Sequence, residues 1–174
     1  MDGYDASLIA GEEPEMCRRI RTRGFRIILA DLPMTTHDLA IRSFSSYWRR
    51  AFRTGHAYAE VSDRFRDTPD PLWRPVAIRN LWHGTSLMLY ALAVLLLACW
   101  ATPATLGAAG GLLGFAVLVI LRSTYRCGWK STEWLTRFMY ALHSHFQQIP
   151  ILVGQVAQRL DATRPATSAD RVQG

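Results

Sequence analysis

Arg79 and Arg122 bracket a stretch, residues 80–121, that contains no Asp, Glu, Lys or Arg and has Pro103 near its middle. As one helix this run would extend roughly 60 Å at 1.5 Å per residue, about twice the roughly 30 Å thickness of a bilayer's hydrocarbon. Two spans fit where one does not. The pattern therefore predicts a helical hairpin, residues 82–101 and 105–121, turning at Thr102-Pro103-Ala104. The competing reading is the buried core hairpin of a soluble protein, which suits the Gly- and Ala-rich second segment better than the Leu-rich first. In that second segment Gly110 and Gly114 fit the small-xxx-small pattern, with Gly107 and Gly111 beside them. Such a stripe either packs the hairpin on itself or joins two copies in a homo-oligomer.

The cations lie outside the run: Arg64, Arg66, Arg74 and Arg79 before it, Arg122, Arg126 and Lys130 after it, and none in the turn. By the positive-inside rule both flanks, and so both termini, are cytoplasmic, which describes a multi-pass protein of the cell inner membrane. A formal net charge of +6 over 174 residues then points to anionic lipid and phosphate-bearing ligands. Nucleic acid is not an expected partner, since neither zinc-finger spacing nor a recognition-helix pattern occurs. Cys17, Cys99 and Cys127 have no metal-ligand spacing, and a reduced cytoplasmic face without a disulfide is the plain reading. The first apolar stretch long enough for export is internal, so no signal peptide is expected.

Four regions and a tail follow. Residues 1–40 read as a piece of α/β domain, 41–79 as a basic amphipathic connector, 80–121 as the hairpin, and 122–160 as a second amphipathic region. The tail 161–174, with Thr163, Pro165, Thr167 and Ser168, reads as disordered. In the first region Glu12, Glu13 and Glu15 cluster around Pro14 at a helix start, Arg18, Arg19, Arg21 and Arg23 crowd its end, and Gly24 is placed to close it. Residues 25–30 then read as a strand, and the chain leaves it toward His37. Acids in a first helical turn often do no more than complement the helix dipole, contributing about 0.3–1 kcal/mol each. A carboxylate held there also stays ionised and can take a proton from a hydroxyl.

Taken in order, Gly3-Tyr4-Asp5, then Gly11-Glu12-Glu13-Pro14-Glu15 and a helix, the segment resembles the acceptor side of family 2 glycosyltransferases. The resemblance implies a GT-A fold, a nucleotide-sugar donor, a hydroxyl acceptor, a divalent metal (Mg or Mn) and inversion at the anomeric carbon. By position it implies Glu13 as catalytic base with Glu12 beside it, Asp5 and Glu15 on the acceptor side, and His37 as a metal ligand. The expected fold class is thus an α/β fragment of a GT-A domain followed by amphipathic helices and a two-helix transmembrane hairpin.

On a helical wheel Phe44, Tyr47, Trp48, Ala51, Phe52, Gly55, Tyr58 and Ala59 share one face, and Ser46, Arg49, Arg50, Arg53 and Glu60 the other. This is an interfacial helix by pattern, although a domain helix packing an aromatic stripe into a core has the same periodicity. Its position resembles the Gln-x-x-Arg-Trp motif of processive membrane members, but the glutamine and the order are missing from Trp48-Arg49-Arg50-Ala51-Phe52-Arg53. Trp48, Arg49, Arg50 and Arg53 are the expected diphosphate and membrane contacts. Residues 143–150, His-Ser-His-Phe-Gln-Gln-Ile-Pro, look like a C-terminal stretch of the same enzymes, and a helix kinked at Pro150 on the membrane surface is expected there, with Leu152, Val153, Val156 and Leu160 on one face. The chain has no Asp-x-Asp. It therefore reads as the C-terminal part of an inverting membrane glycosyltransferase, inactive alone, with a non-enzymatic membrane anchor or adaptor subunit as the alternative.

Overall fold

The computed structural model describes residues 3–28, 41–69 and 71–163. They form α1 Glu12–Thr22, α2 Phe44–Arg64, α3 Arg74–Trp100, α4 Pro103–Arg126, α5 Trp134–Phe146 and α6 Gln148–Thr163, with a 3-10 turn at Cys127–Trp129. No strand occurs among the described residues, which overturns the α/β, GT-A-fragment fold expected for residues 1–40. Residues 25–28 of the expected strand are irregular, and 29–30 lie outside the described residues, as does His37. The physical reason is that a strand needs a neighbour for its backbone hydrogen bonds and a layer for its apolar face. Here Phe25 is 58 % and Ile28 88 % exposed, and no partner strand lies among the described residues.

Of the described residues, those up to Asn80 and from Pro150 onward group into one compact unit and Leu81–Ile149 into a second. In the first, α1 has the charge order the sequence predicts, acids in its first turn and Arg19 and Arg21 in its last, and Gly24 follows it at φ 86°. A capping box between Ser43 and Ser46 starts α2. Helix α2 then meets α6 backbone to backbone. A Cβ on Gly55 would overlap the Ile151 carbonyl, and one on Gly154 would overlap the Phe52 carbonyl. Ala51 and Ala59, one turn to either side of Gly55, are buried with it. On this face of α2 the small residues Ala51, Gly55 and Ala59 are buried, while Tyr47, Trp48, Phe52 and Tyr58 are half-buried and Phe44 is exposed.

Pro150 lies in the first turn of α6, where its missing N–H costs no hydrogen bond. The expected kinked helix is therefore two helices separated at Gln147. The packed side of α6 carries Ile151, Gly154, Gln155 and Gln158, while Val153, Val156 and Leu160 face outward at 43 %, 43 % and 59 % exposure. Gln155, fully buried, donates from Nε2 to the Ala77 carbonyl at 3.0 Å.

In the second unit α3 continues to Trp100, the turn passes through Ala101 at φ 50°, and a Thr102–Thr105 capping box with Pro103 starts α4. Helix α3 begins at Arg74 rather than near residue 82, because Pro75 sits harmlessly in a first turn. Both helices are long and apolar enough to cross a membrane, and only 6 % of each apolar window is buried. Leu89, Leu92, Leu95 and Leu96 on α3 and Leu113, Phe115, Val117 and Leu118 on α4 are all exposed. Each is about half exposed, so in water each would forfeit on the order of 1 kcal/mol, together comparable to the roughly 5–15 kcal/mol that holds a typical domain folded. Two such helices, apolar and uncovered among the described residues, could cross a membrane.

Candidate functional site

The site is built on the loop that precedes α1. Asp5 accepts from the backbone N–H of Ser7 at 2.9 Å and from its hydroxyl at 2.6 Å, closing a local turn. Arg64, at the end of α2, binds the other Asp5 oxygen, Ser7 Oγ at 2.8 Å and Glu60 at 2.9 Å. The Ser7 hydroxyl first, and then Arg64, hold the Asp5 carboxyl well below the ordinary carboxylate range. Further on, Arg53 donates from Nε to the Ile9 carbonyl at 3.1 Å, with its Nη2 on the same oxygen. Gly11, at φ 86°, lies against Trp73, Val61 and Ala57 so closely that a Cβ would be 3.1 Å from the Trp73 ring. These contacts pin the loop to the polar side of α2.

The result is a cleft of about 620 Å³ between the loop and α2. From α2 it receives Ser46, Arg49, Arg50, Arg53 and Thr54, which fall at the i, i+3, i+4, i+7, i+8 spacing of one helical face. From the loop it receives Ala10 and Gly11, from the start of α1 Glu12, and from the segment before α2, Ile41. Three guanidinium groups thus face one carboxylate, a local balance of +2. None of the three arginines forms an ion pair with an acid among the described residues; Arg49 donates to Ser45 at 3.2 Å. The uncapped start of α1 at Gly11 adds the positive end of a helix. The cleft is net positive despite Glu12.

The expected site residues separate. Glu12 and the arginines converge, although Arg49 lies 37 positions after Glu12. Glu13 is exposed in the first turn of α1 and does not line the cleft. Glu15 is 5 % exposed and takes both its oxygens to Arg19 Nε at 2.8 and 3.0 Å, while Arg19 reaches the Gly3 carbonyl at 2.6 Å. Asp5 is held in the clasp with Arg64. Trp48 lies beside Phe44, ring centres 5.9 Å apart and planes tilted by 44°, and is not part of the cleft lining. Arg64 was not legible as a site residue, because the partner that gives it a role lies 59 positions earlier.

No group of three His, Cys, Asp or Glu comes together among the described residues, and the cleft itself offers one carboxylate beside three arginines; His37, the metal ligand that the resemblance implies, lies outside the described residues. Comparison with protein-family models, with curated proteins and with solved structures returned no match to this chain.

Proposed function

We propose that this chain is the acceptor-side and membrane-anchoring portion of a glycosyltransferase of the cell inner membrane, with the arginine cleft holding the diphosphate of a nucleotide-sugar. The observation that carries the reading is the convergence of Glu12 with Arg49, Arg50 and Arg53 around one cleft. Guanidinium groups offset the charge that builds on a departing diphosphate. An ionised carboxylate at the cleft wall accepts the proton of the attacking hydroxyl. Glu12 lines that wall and Glu13 follows it on the first turn of α1, so the base is the Glu12-Glu13 pair, with Glu12 nearer. In this reading α3 and α4 cross the bilayer with the cleft and both termini on the cytoplasmic side.

The test is calorimetric binding of uridine diphosphate, and of inorganic pyrophosphate, to the detergent-solubilised chain. Replacing Arg50 with Ala is expected to weaken both by about tenfold, the loss of one charge-assisted hydrogen bond of roughly 1.5 kcal/mol. Binding that does not occur, or that ignores Arg49→Ala, Arg50→Ala and Arg53→Ala alike, overturns the reading. It would then favour the adaptor alternative, which the exposed arginine row on α2 also supports by offering a surface to an acidic partner.

A further inference from the structure

Three polar side chains from three helices meet in the second unit. His83 Nε2 of α3 lies 3.2 Å from His145 Nδ1 of α5, and His145 Nε2 lies 3.0 Å from Ser123 Oγ of α4. A cleft of about 220 Å³ adjoins the two histidines. Along α3 its wall runs from His83 through Leu87 to Tyr90, and along α4 from Ile120, three residues before Ser123, back through Val119 to Phe115. Seven helical residues place its far end about 10 Å from its polar end. There the Tyr90 hydroxyl donates to the Leu112 carbonyl and closes the floor. The polar end stands one helical turn from Arg79 along α3 and next to Arg122 along α4, where the uncharged stretch begins and ends. The groove therefore grades from polar at the membrane boundary to apolar toward the interior.

The hydrogen-bond arithmetic narrows the ligand. A neutral imidazole has one N–H. If Ser123 donates to His145, then His145 donates to His83 and the remaining His83 N–H is unspent. If the chain runs the other way, the Ser123 hydroxyl is unspent. Either arrangement ends in one donor. Burial first, and then the adjacent His83 ring, keep His145 below the ordinary histidine value. One N–H or O–H donor at the head of an apolar groove with no Lys or Arg in its lining suits an ester oxygen better than a phosphate, which demands cations.

We propose that this groove binds an acyl chain of a membrane lipid, with the ester carbonyl at the Ser123–His145–His83 end and the first methylenes lying between α3 and α4 toward Tyr90. The inference rests on α3 and α4 lying in a bilayer and is independent of the arginine cleft. The full chain is reconstituted in phosphatidylcholine vesicles containing a phosphatidylcholine with a diazirine near the carboxyl end of one acyl chain, irradiated, and mapped by peptide mass spectrometry. Adducts are expected on Leu87 and Val119 severalfold above those on the outward Leu95 and Leu118. The Ala116→Leu variant, which fills the groove, is expected to lower the groove adducts severalfold, and the exposed Val117→Leu control to leave them unchanged. Equal yields inside and outside the groove, or no response to Ala116→Leu, overturn the proposal while leaving the spans in lipid. Absence of adducts on Leu95 and Leu118 as well would refute the membrane placement itself. With a carbonyl-labelled lipid, the infrared band of a hydrogen-bonded ester is expected in the parent and lost when all three donors are removed together in Ser123→Ala/His83→Phe/His145→Phe; a band unchanged in that variant removes the polar end of the proposal.

Discussion

Gly11 and Asp5 carry opposite kinds of local commitment. Gly11 holds a left-handed φ against the Trp73 ring and the α2 side chains, so Gly11→Ala adds both backbone strain and a contact that must give. A loss of about 1–2 kcal/mol is expected from the backbone alone, read as a lower thermal midpoint in detergent together with weaker diphosphate binding at the cleft. Asp5 acts through its ionised form. Its folded-state pKa is depressed by Ser7 and Arg64, so its contribution is complete above the unfolded carboxylate pKa of about 3.9 and is lost as pH falls from there toward the folded value. The stability difference between the parent and Asp5→Asn is therefore expected to be constant from about pH 7 to 5 and to shrink below about pH 4. A difference that grows on acidification would contradict the clasp.

Helices α2, α4 and α6 use glycine for different ends. Gly55 and Gly154 are crossing points where a methyl group meets backbone that cannot move aside. Gly55→Ala and Gly154→Ala are each expected to cost about 1–3 kcal/mol or more, as overpacking of a close contact does, measured by denaturant or thermal unfolding. Gly107, Gly110, Gly111 and Gly114 on α4 would each place an added methyl with nothing within 4 Å of it among the described residues. Gly110→Ala and Gly114→Ala are expected to leave the single chain's stability unchanged or raised by up to about 1 kcal/mol. The same two substitutions test whether the stripe joins copies: a shift toward monomer by light scattering in detergent marks an interface, and no shift marks a lipid-facing surface.

For the whole molecule the proposed topology makes Cys17 and Cys127 cytoplasmic and the α3–α4 turn external. In a Cys99→Ser background carrying Ala104→Cys, a membrane-impermeant maleimide applied to intact cells is expected to label the turn position and to spare Cys17 and Cys127. Inverted vesicles should reverse the pattern. Labelling of Cys17 and Cys127 from opposite faces would exclude a double-pass anchor, and with it a cleft held at one membrane surface. The large exposed apolar area of α3 and α4 also predicts that the chain fractionates with membranes and needs detergent to leave them.

Local and periodic signals were legible because they depend on neighbours three to eight residues away: the uncharged run and its proline turn, the acidic start, basic end and closing glycine of α1, and the polar face of α2 that becomes one wall of the cleft. The expected strand failed because pairing is not local, and nothing in residues 25–30 states whether a partner strand exists. The same holds for Glu15, which the sequence set beside Glu12 but which turns inward to Arg19, and for His145, which finds His83 62 positions away rather than His143. By itself the sequence determined which segments are apolar, where helices start, and which charges share a face, since these follow from helix period and solvation. Only the tertiary structure decided which glutamate faces the arginines, which glycines are closed and which open, and where the histidines meet, since each depends on two distant segments excluding water from the same place.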